Sequence, residues 1–305
     1  ALSGDGRWLA WVSAESDLVP NDSNQAADVF VFERASGRIL RVSVGDEGQE
    51  GRGGDPIASL SPSLSADGQW VAFSSSFTNL VDGDTNGAAD VFVRNLETGA
   101  LRLVSRGPGG AVASRGAGRP VLSGDGRWVA FDSTSPELAG RDTNVFCVVG
   151  LDGVTYCLPA PDVFLHDLER GDTELISAAV GGGPGNGSSF GPSVSRDGRF
   201  VAFVSSASDL VSQDTNGRAD VFVRDRRMGW TMRVSVGTKG VQADGDSSAP
   251  WISADGRWVT FESMATNLVP DDRNGRSDVF LHDRYTGQTW RLSECACDDE
   301  SASDA

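Results

Sequence analysis

Residues 62–73 read PSLSADGQWVAF, and the same pattern returns as ALSGDGRWLAW (1–11), PVLSGDGRWVAF (120–131), PSVSRDGRFVAF (192–203) and PWISADGRWVTF (250–261). The shared glycines Gly6, Gly68, Gly126, Gly198 and Gly256 are spaced by 62, 58, 72 and 58 residues. A long, nearly fixed period marks a repeat architecture, in which one supersecondary unit is stacked several times. The one long interval carries a 14-residue insertion between Asn144 and Asp162, without which the spacing is again 58.

Each unit contains four short strands. In the second copy, PSLS is the first, and SADG turns the chain, its Asp holding the turn and its Gly supplying a positive φ. The next strand, QWVAFSS, alternates so that Trp70 and Ala72 face one side while Val71 and Phe73 face the other. Both faces are apolar, as they must be for a sheet sandwiched between two neighbours. DVFVRN forms the third strand, and after the turn LETG the fourth, ALRLVS, points Arg102 outward at a solvent edge.

Four antiparallel strands, repeated five times with apolar residues on both faces, predict an all-β chain folded as a single five-bladed β-propeller. Its blades cover about 1–58, 59–117, 118–189, 190–248 and 249–293, with an acidic, Cys-containing tail at 294–305. The S-x-D-G-[RQ]-[WF]-V-A-F core followed by DVFVRD resembles the TolB-type, WD-like propeller repeats of bacterial periplasmic and secreted proteins. That resemblance spans nearly the whole chain and implies binding, scaffolding and sometimes hydrolase-accessory roles. This chain departs from the simple unit in the longer loop between its second and third strands.

The formal charge of -17 repels a phosphate backbone, so nucleic acid is excluded as a partner, and no apolar run approaches a membrane span. Cys147 and Cys157 bracket VVGLDGVTY, whose LDG suggests a hairpin turn that brings the two thiols within disulfide reach. A bridge there points to an oxidising, extracellular or periplasmic compartment. A start at Ala1 without Met is compatible with removal of an export leader. Cys295 and Cys297 are separated by a single residue, which disfavours a bridge between them and suits a link between chains.

The long loops carry the acidic pattern DGDTNGAAD. Asp82, Asp84, Asn86 and Asp90 occupy positions 1, 3, 5 and 9, with Gly87 at position 6, a spacing that lets oxygens converge on calcium. Val93 stands where a helix-loop-helix site would place its bidentate Glu. Equivalent sets are Asp22, Asn24 and Asp28; Asp142, Asn144 and Asp162; Asp214, Asn216 and Asp220; and Asp272, Asn274 and Asp278. Three side chains per loop imply modest affinity, with Ca2+ as the expected cofactor; the same residues also make Asx turns with no ion present.

No G-x-S-x-G elbow or zinc spacing occurs, and His166 and His282, in the shared register FLHD, read as exposed strand ends. The turn aspartates Asp5, Asp67, Asp125, Asp197 and Asp255 recur in every unit and read as structural. Asp132 and Glu262 break the repeat and suit a glycosidase pair, against an outward strand position paired with Arg. Trp230 and Trp290 read as covers of the blade edge.

Aligning the units shows that the first copy lacks the residues that precede its innermost strand, and that ESASDA falls opposite that gap. The tail can therefore close its own ring or reach a neighbouring molecule and build a head-to-tail chain. The sequence thus describes a non-catalytic, calcium-stabilised structural or protein-interaction module, with self-assembly through its termini. A secreted glycan-active propeller and a periplasmic TolB-like binding module are the competing readings.

Overall fold

The computed structural model describes residues 1–54, 61–138, 144–149 and 154–293, so Asp142, Cys295, Cys297 and the acidic tail lie outside the described residues. Five sheets follow one another along the chain. Sheet 1 has three strands, β1 (Trp8–Ser13), β2 (Asp28–Glu33) and β3 (Arg38–Arg41). Sheet 2 has four, β4 (Ser63–Leu64), β5 (Trp70–Ser75), β6 (Asp90–Asn95) and β7 (Leu101–Leu103). Sheet 3 begins with β8 (Ala117–Leu122) and β9 (Trp128–Ser133), is interrupted by the ribbon β10 (Val145–Val149) and β11 (Thr155–Pro159), and resumes with β12 (Asp162–Asp167) and β13 (Thr173–Leu175). Sheet 4 comprises β14 (Ser189–Val194), β15 (Phe200–Ser205), β16 (Asp220–Asp225) and β17 (Trp230–Arg233). After a short ribbon of β18 (Val236–Gly237) and β19 (Val241–Gln242), sheet 5 contains β20 (Ser247–Ile252), β21 (Trp258–Ser263), β22 (Asp278–Asp283) and β23 (Gln288–Arg291).

All pairings between these strands are antiparallel and follow chain order within each sheet. Sheet 1 departs from the expected four strands: in place of an innermost strand it has the single bridge Leu2↔Leu9. The insertion of the third unit projects as the β10–β11 ribbon, in which Cys147 lies opposite Cys157 and the two form a disulfide.

The alternation read from QWVAFSS decides how the sheets pack. Val71, Phe73 and Phe92 of sheet 2 face sheet 1, meeting Ala10, Val29, Val31 and Val42. Ala72, Val91, Val93 and Val104, on the other face, meet Leu122, Val129, Phe131 and Phe164 of sheet 3. Two further cores join sheet 3 to sheet 4 and sheet 4 to sheet 5 in the same way. Each sheet carries a cross-strand aromatic pair, such as Phe73–Phe92 with centroids 5.7 Å apart and Phe203–Phe222 at 6.0 Å.

The S-x-D-G turns join neighbouring sheets. In each, the Asp accepts from the preceding Ser hydroxyl and from the backbone N–H two residues on, at 2.5–3.1 Å. This leaves the glycine beside the next chain segment, and the aromatic residue that opens the second strand of one sheet packs on the glycine of the next. Added at Gly68, a Cβ would lie 2.3 Å from Trp8 Cδ1; at Gly126, 2.9 Å from Trp70 Cδ1; at Gly198, 2.2 Å from Trp128 Cδ1; at Gly256, 2.1 Å from Phe200 Cδ2. Backbone hydrogen bonds run between the same turns, from Asp5 to Ala66, Ala66 to Gly124, Asp125 to Arg196 and Arg196 to Ala254, at 2.9–3.1 Å.

Gly198 needs both its positive φ of 69° and its missing side chain. Gly198→Ala is expected to cost about 3 kcal/mol in urea unfolding, combining left-handed strain with overpacking against Trp128. Gly171→Ala, at a turn with φ of 76° and nothing within 4 Å of the new methyl, is the control and should cost only about 1 kcal/mol. Equal losses would show that the aromatic–glycine contact contributes nothing.

Candidate functional site

The loops between second and third strands gather the residues read as calcium ligands, and their hydrogen bonds show what most of them do. Asn24 Nδ2 donates to Asp28 Oδ2 at 2.9 Å while its Oδ1 accepts from the Ala26 N–H, an Asx turn. Asn86 with Asp90, Asn216 with Asp220 and Asn274 with Asp278 repeat the contact at 2.5–2.8 Å. In the third unit the ribbon loops out and Asn144 still reaches Asp162, at 3.3 Å.

The other oxygen of each of these aspartates is taken by a serine that sequence reasoning did not single out. Ser43, Ser105, Ser177, Ser235 and Ser293 donate to Asp28, Asp90, Asp162, Asp220 and Asp278, each at 2.5 Å. Each hydroxyl also accepts from the N–H of the valine that follows the aspartate. This clamp fastens the end of the fourth strand to the start of the third. Its signal was present in the sequence as the Ser that closes every RVS-type segment, always 15 residues beyond the Asp.

In three loops the positive charge comes from the chain itself. Arg41 Nη1 lies 2.7 Å from Asp22 Oδ1 and 3.4 Å from Asp28 Oδ2. Arg233 Nη1 lies 2.8 Å from Asp214 and 3.1 Å from Asp220, and Arg291 Nη1 lies 3.2 Å from Asp272 and 3.7 Å from Asp278. These arginines come from the ends of β3, β17 and β23 and are nearly buried. In these three loops a guanidinium contacts the carboxylates read as calcium ligands, because the fourth strand delivers a residue that spacing within the loop cannot reveal. Among the described residues no group of three His, Cys, Asp or Glu side chains converges as a metal set.

The second loop differs. Leu103, buried in β7, replaces the arginine at this register. Asp84 is 5% exposed, and both of its carboxylate oxygens are buried with no hydrogen-bond partner. Burial raises the pKa of Asp84, only partly offset by the nearby Asn86 N–H and the charge of Arg106. Burial likewise pushes Asp90 up to about 6, with hydrogen bonds from Ser105 and Asn86 opposing it and the charge of Asp84 adding to it. Asp82 is exposed.

The remaining candidates are structural in geometry. His166 and His282 are buried, which corrects their reading as exposed strand ends. His166 Nδ1 lies 3.0 Å from Thr173 Oγ1, whose hydroxyl donates to the Arg106 carbonyl of sheet 2. His282 and Thr289 make the same strut to Val236 O of the β18–β19 ribbon that follows sheet 4, and Arg94 reaches Val42 O, just past β3, at 3.0 Å. Asp132 is paired with Arg119 at 3.1 Å and accepts from the Gly191 N–H at 3.1 Å, whereas Glu262 is exposed on sheet 5. The two carboxylates thus sit on sheets 3 and 5, with sheet 4 between them in the stack. Trp290 packs against Trp258 with centroids 6.1 Å apart, and Trp230 borders a cleft with Val180, Arg224 and Thr231.

The fold is that of the TolB-type β-propeller proteins. The chain is similar to TolB from Agrobacterium tumefaciens with a TM-score of 0.51 and 18% identity, covering 95% of this chain and 78% of that one. Oligogalacturonate lyase in complex with manganese gives a TM-score of 0.55 and 14% identity over 95% of this chain and 63% of the lyase. TolB from Acinetobacter baumannii gives 0.49 and 16% identity over 94% of this chain, which spans about half, 53%, of that protein's length. No family model matches the sequence, and no curated protein matches it.

Arg233→Met leaves Asp214 and Asp220 buried without their counter-charge and is expected to cost about 3–5 kcal/mol by urea unfolding. A second outcome concerns pH. Burial depresses His282 from 6.5 to about 4, so the unfolded chain binds its proton first as pH falls. His282 therefore contributes full stability above pH 6.5, and loses it progressively toward pH 4, by an amount on the order of 3 kcal/mol. The stability of His282→Gln should fall less steeply than that of the parent chain across this window.

Proposed function

We propose that this protein is a non-catalytic interaction module of the periplasm or extracellular space, built as a five-bladed TolB-like propeller whose partner is a second copy of itself, joined head to tail. The observation that carries this reading is a contact made four times between successive sheets and lacking its fifth instance among the described residues. Trp258, the aromatic of sheet 5, packs on Trp290 and beneath Arg257 rather than on a glycine turn. Gly6, the turn glycine of sheet 1, has only Arg34 Nη1 near its Cβ position, at 4.0 Å. The hydrogen-bonded series of turns likewise stops at Ala254, with no bond described back to Gly4 or Asp5.

Exposure follows the same line. Leu9 of sheet 1 is 44% exposed, where Val71, Val129, Val201 and Val259 at its register are 0%. Val279 and Leu292 of sheet 5 are 36% and 54% exposed, where the residues at their registers in the other sheets are at most 1%. One sheet face of each end is thus apolar and open, and the two are the same pair of faces that meet at every internal interface. Phe32 replaces the Arg or His strut of the other sheets, making the sheet 1 face more apolar still. Covering a Leu or Val side chain of this kind contributes roughly 1–2 kcal/mol. Faces that differ from each other associate heterologously, and such contacts extend into chains unless the rotation closes a ring.

The Cys147–Cys157 disulfide supports an oxidising compartment. Asp132 is held by Arg119 and Gly191, which supports a structural rather than a hydrolytic role for it. The likeness to oligogalacturonate lyase concerns the fold.

Light scattering after gel filtration tests the assembly. The chain is expected to run at multiples of its monomer mass with rising concentration, and Leu9→Asp and Val279→Asp are each expected to run as monomers. Mixed together, the two variants retain one intact face each and should form a dimer and nothing larger. A parent chain that stays monomeric at every concentration sinks the reading.

A further inference from the structure

The loop of sheet 2 lacks the arginine that sheets 1, 4 and 5 deliver to theirs, and those three sheets act as its internal controls. In sheets 1, 4 and 5 a guanidinium nitrogen touches the third-position aspartate and the Oδ2 of the ninth-position aspartate at once. Sheet 2 keeps both acids, as Asp84 and Asp90, and keeps the Asn86 and Ser105 hydrogen bonds that orient Asp90. It has Leu103 where the arginine would come from. Asp84 holds two buried carboxylate oxygens with no hydrogen-bond partner. Leaving a buried carboxylate unpaired is costly, and in sheets 1, 4 and 5 that cost is met by an arginine. Arg106, whose charge favours the ionised forms of Asp84 and Asp90, donates to Gly110 O at 3.1 Å.

We infer that the sheet 2 loop is a binding site for a single hard divalent cation of the calcium type, held by Asp84 and Asp90 in the place that Arg41, Arg233 and Arg291 fill elsewhere. Carboxylate oxygens select a hard ion, and a flexible loop with two acids suits calcium, which accepts irregular shells completed by carbonyls and water, better than magnesium, which demands octahedral geometry. So few charged ligands place the affinity in the range of extracellular modules, a dissociation constant on the order of 10⁻⁴–10⁻³ M. The site is independent of the end-to-end association proposed above, since it lies within one sheet.

Equilibrium dialysis of the whole chain against radioactive calcium after chelation, with thermal melting in parallel, tests this site. One calcium per chain and a melting midpoint that rises with calcium concentration are expected. Asp84→Asn should weaken binding at least about tenfold, because the remaining acid is already shared with Ser105 and Asn86. Leu103→Arg, which installs the residue of the sister loops, should abolish binding while its circular dichroism remains that of the parent. No calcium bound at about 10 mM, well above the expected dissociation constant, would overturn the assignment. So would an affinity unchanged in Asp84→Asn, or three or more ions per chain, which would place calcium in the arginine-filled loops as well.

Discussion

Everything in this molecule depends on sheets that bury both of their faces. A strand such as Trp70–Ser75 is apolar on each side, so its sheet is stable only between two others. Contact between neighbours is made specific by an aromatic ring lying where a side chain on the next turn would stand, from Trp8 over Gly68 to Phe200 over Gly256. Because the contact needs a glycine with positive φ, the S-x-D-G turn is both a local bend and a packing surface. Stability in such a stack is the sum of near-identical interfaces, and the two end sheets each keep one face without a neighbour among the described residues.

The polar residues follow the same economy. The Asp–Ser clamp at 2.5 Å binds third and fourth strands in every unit, and the Asx turn of the neighbouring Asn satisfies the loop backbone. With these anchors in place, the third-position aspartate is drawn below the surface, where burial raises its pKa and a counter-charge is required. Three units supply that charge as arginine. The second supplies leucine, and the imbalance at Asp84 follows directly.

Low identity to the TolB structures, 18% for the Agrobacterium protein, is what such a scaffold permits. Sheet-on-sheet packing constrains the alternation of apolar residues and the turn glycines, and leaves loop chemistry free to vary. The β10–β11 ribbon with its disulfide, inserted between Asn144 and Asp162 without breaking their hydrogen bond, shows how much a loop can change while the sheet beneath is unaltered.

By itself the sequence determined the strands, the turns and the order of the sheets, because period-two alternation and a positive-φ glycine are local properties written in adjacent residues. It also determined the Cys147–Cys157 pairing, since a short hairpin places those residues opposite each other. Only the tertiary structure decided which side chains meet the acidic loops: Arg41 and Asp22 are 19 positions apart, and their meeting depends on strand register rather than on loop spacing. The same holds for His166 and His282, whose FLHD segments look exposed in one dimension and become buried because a neighbouring sheet lies over them. Spacing along a chain reports which groups are near in sequence. Whether a charge meets an ion, a guanidinium or nothing is set by the residue that an adjacent strand delivers.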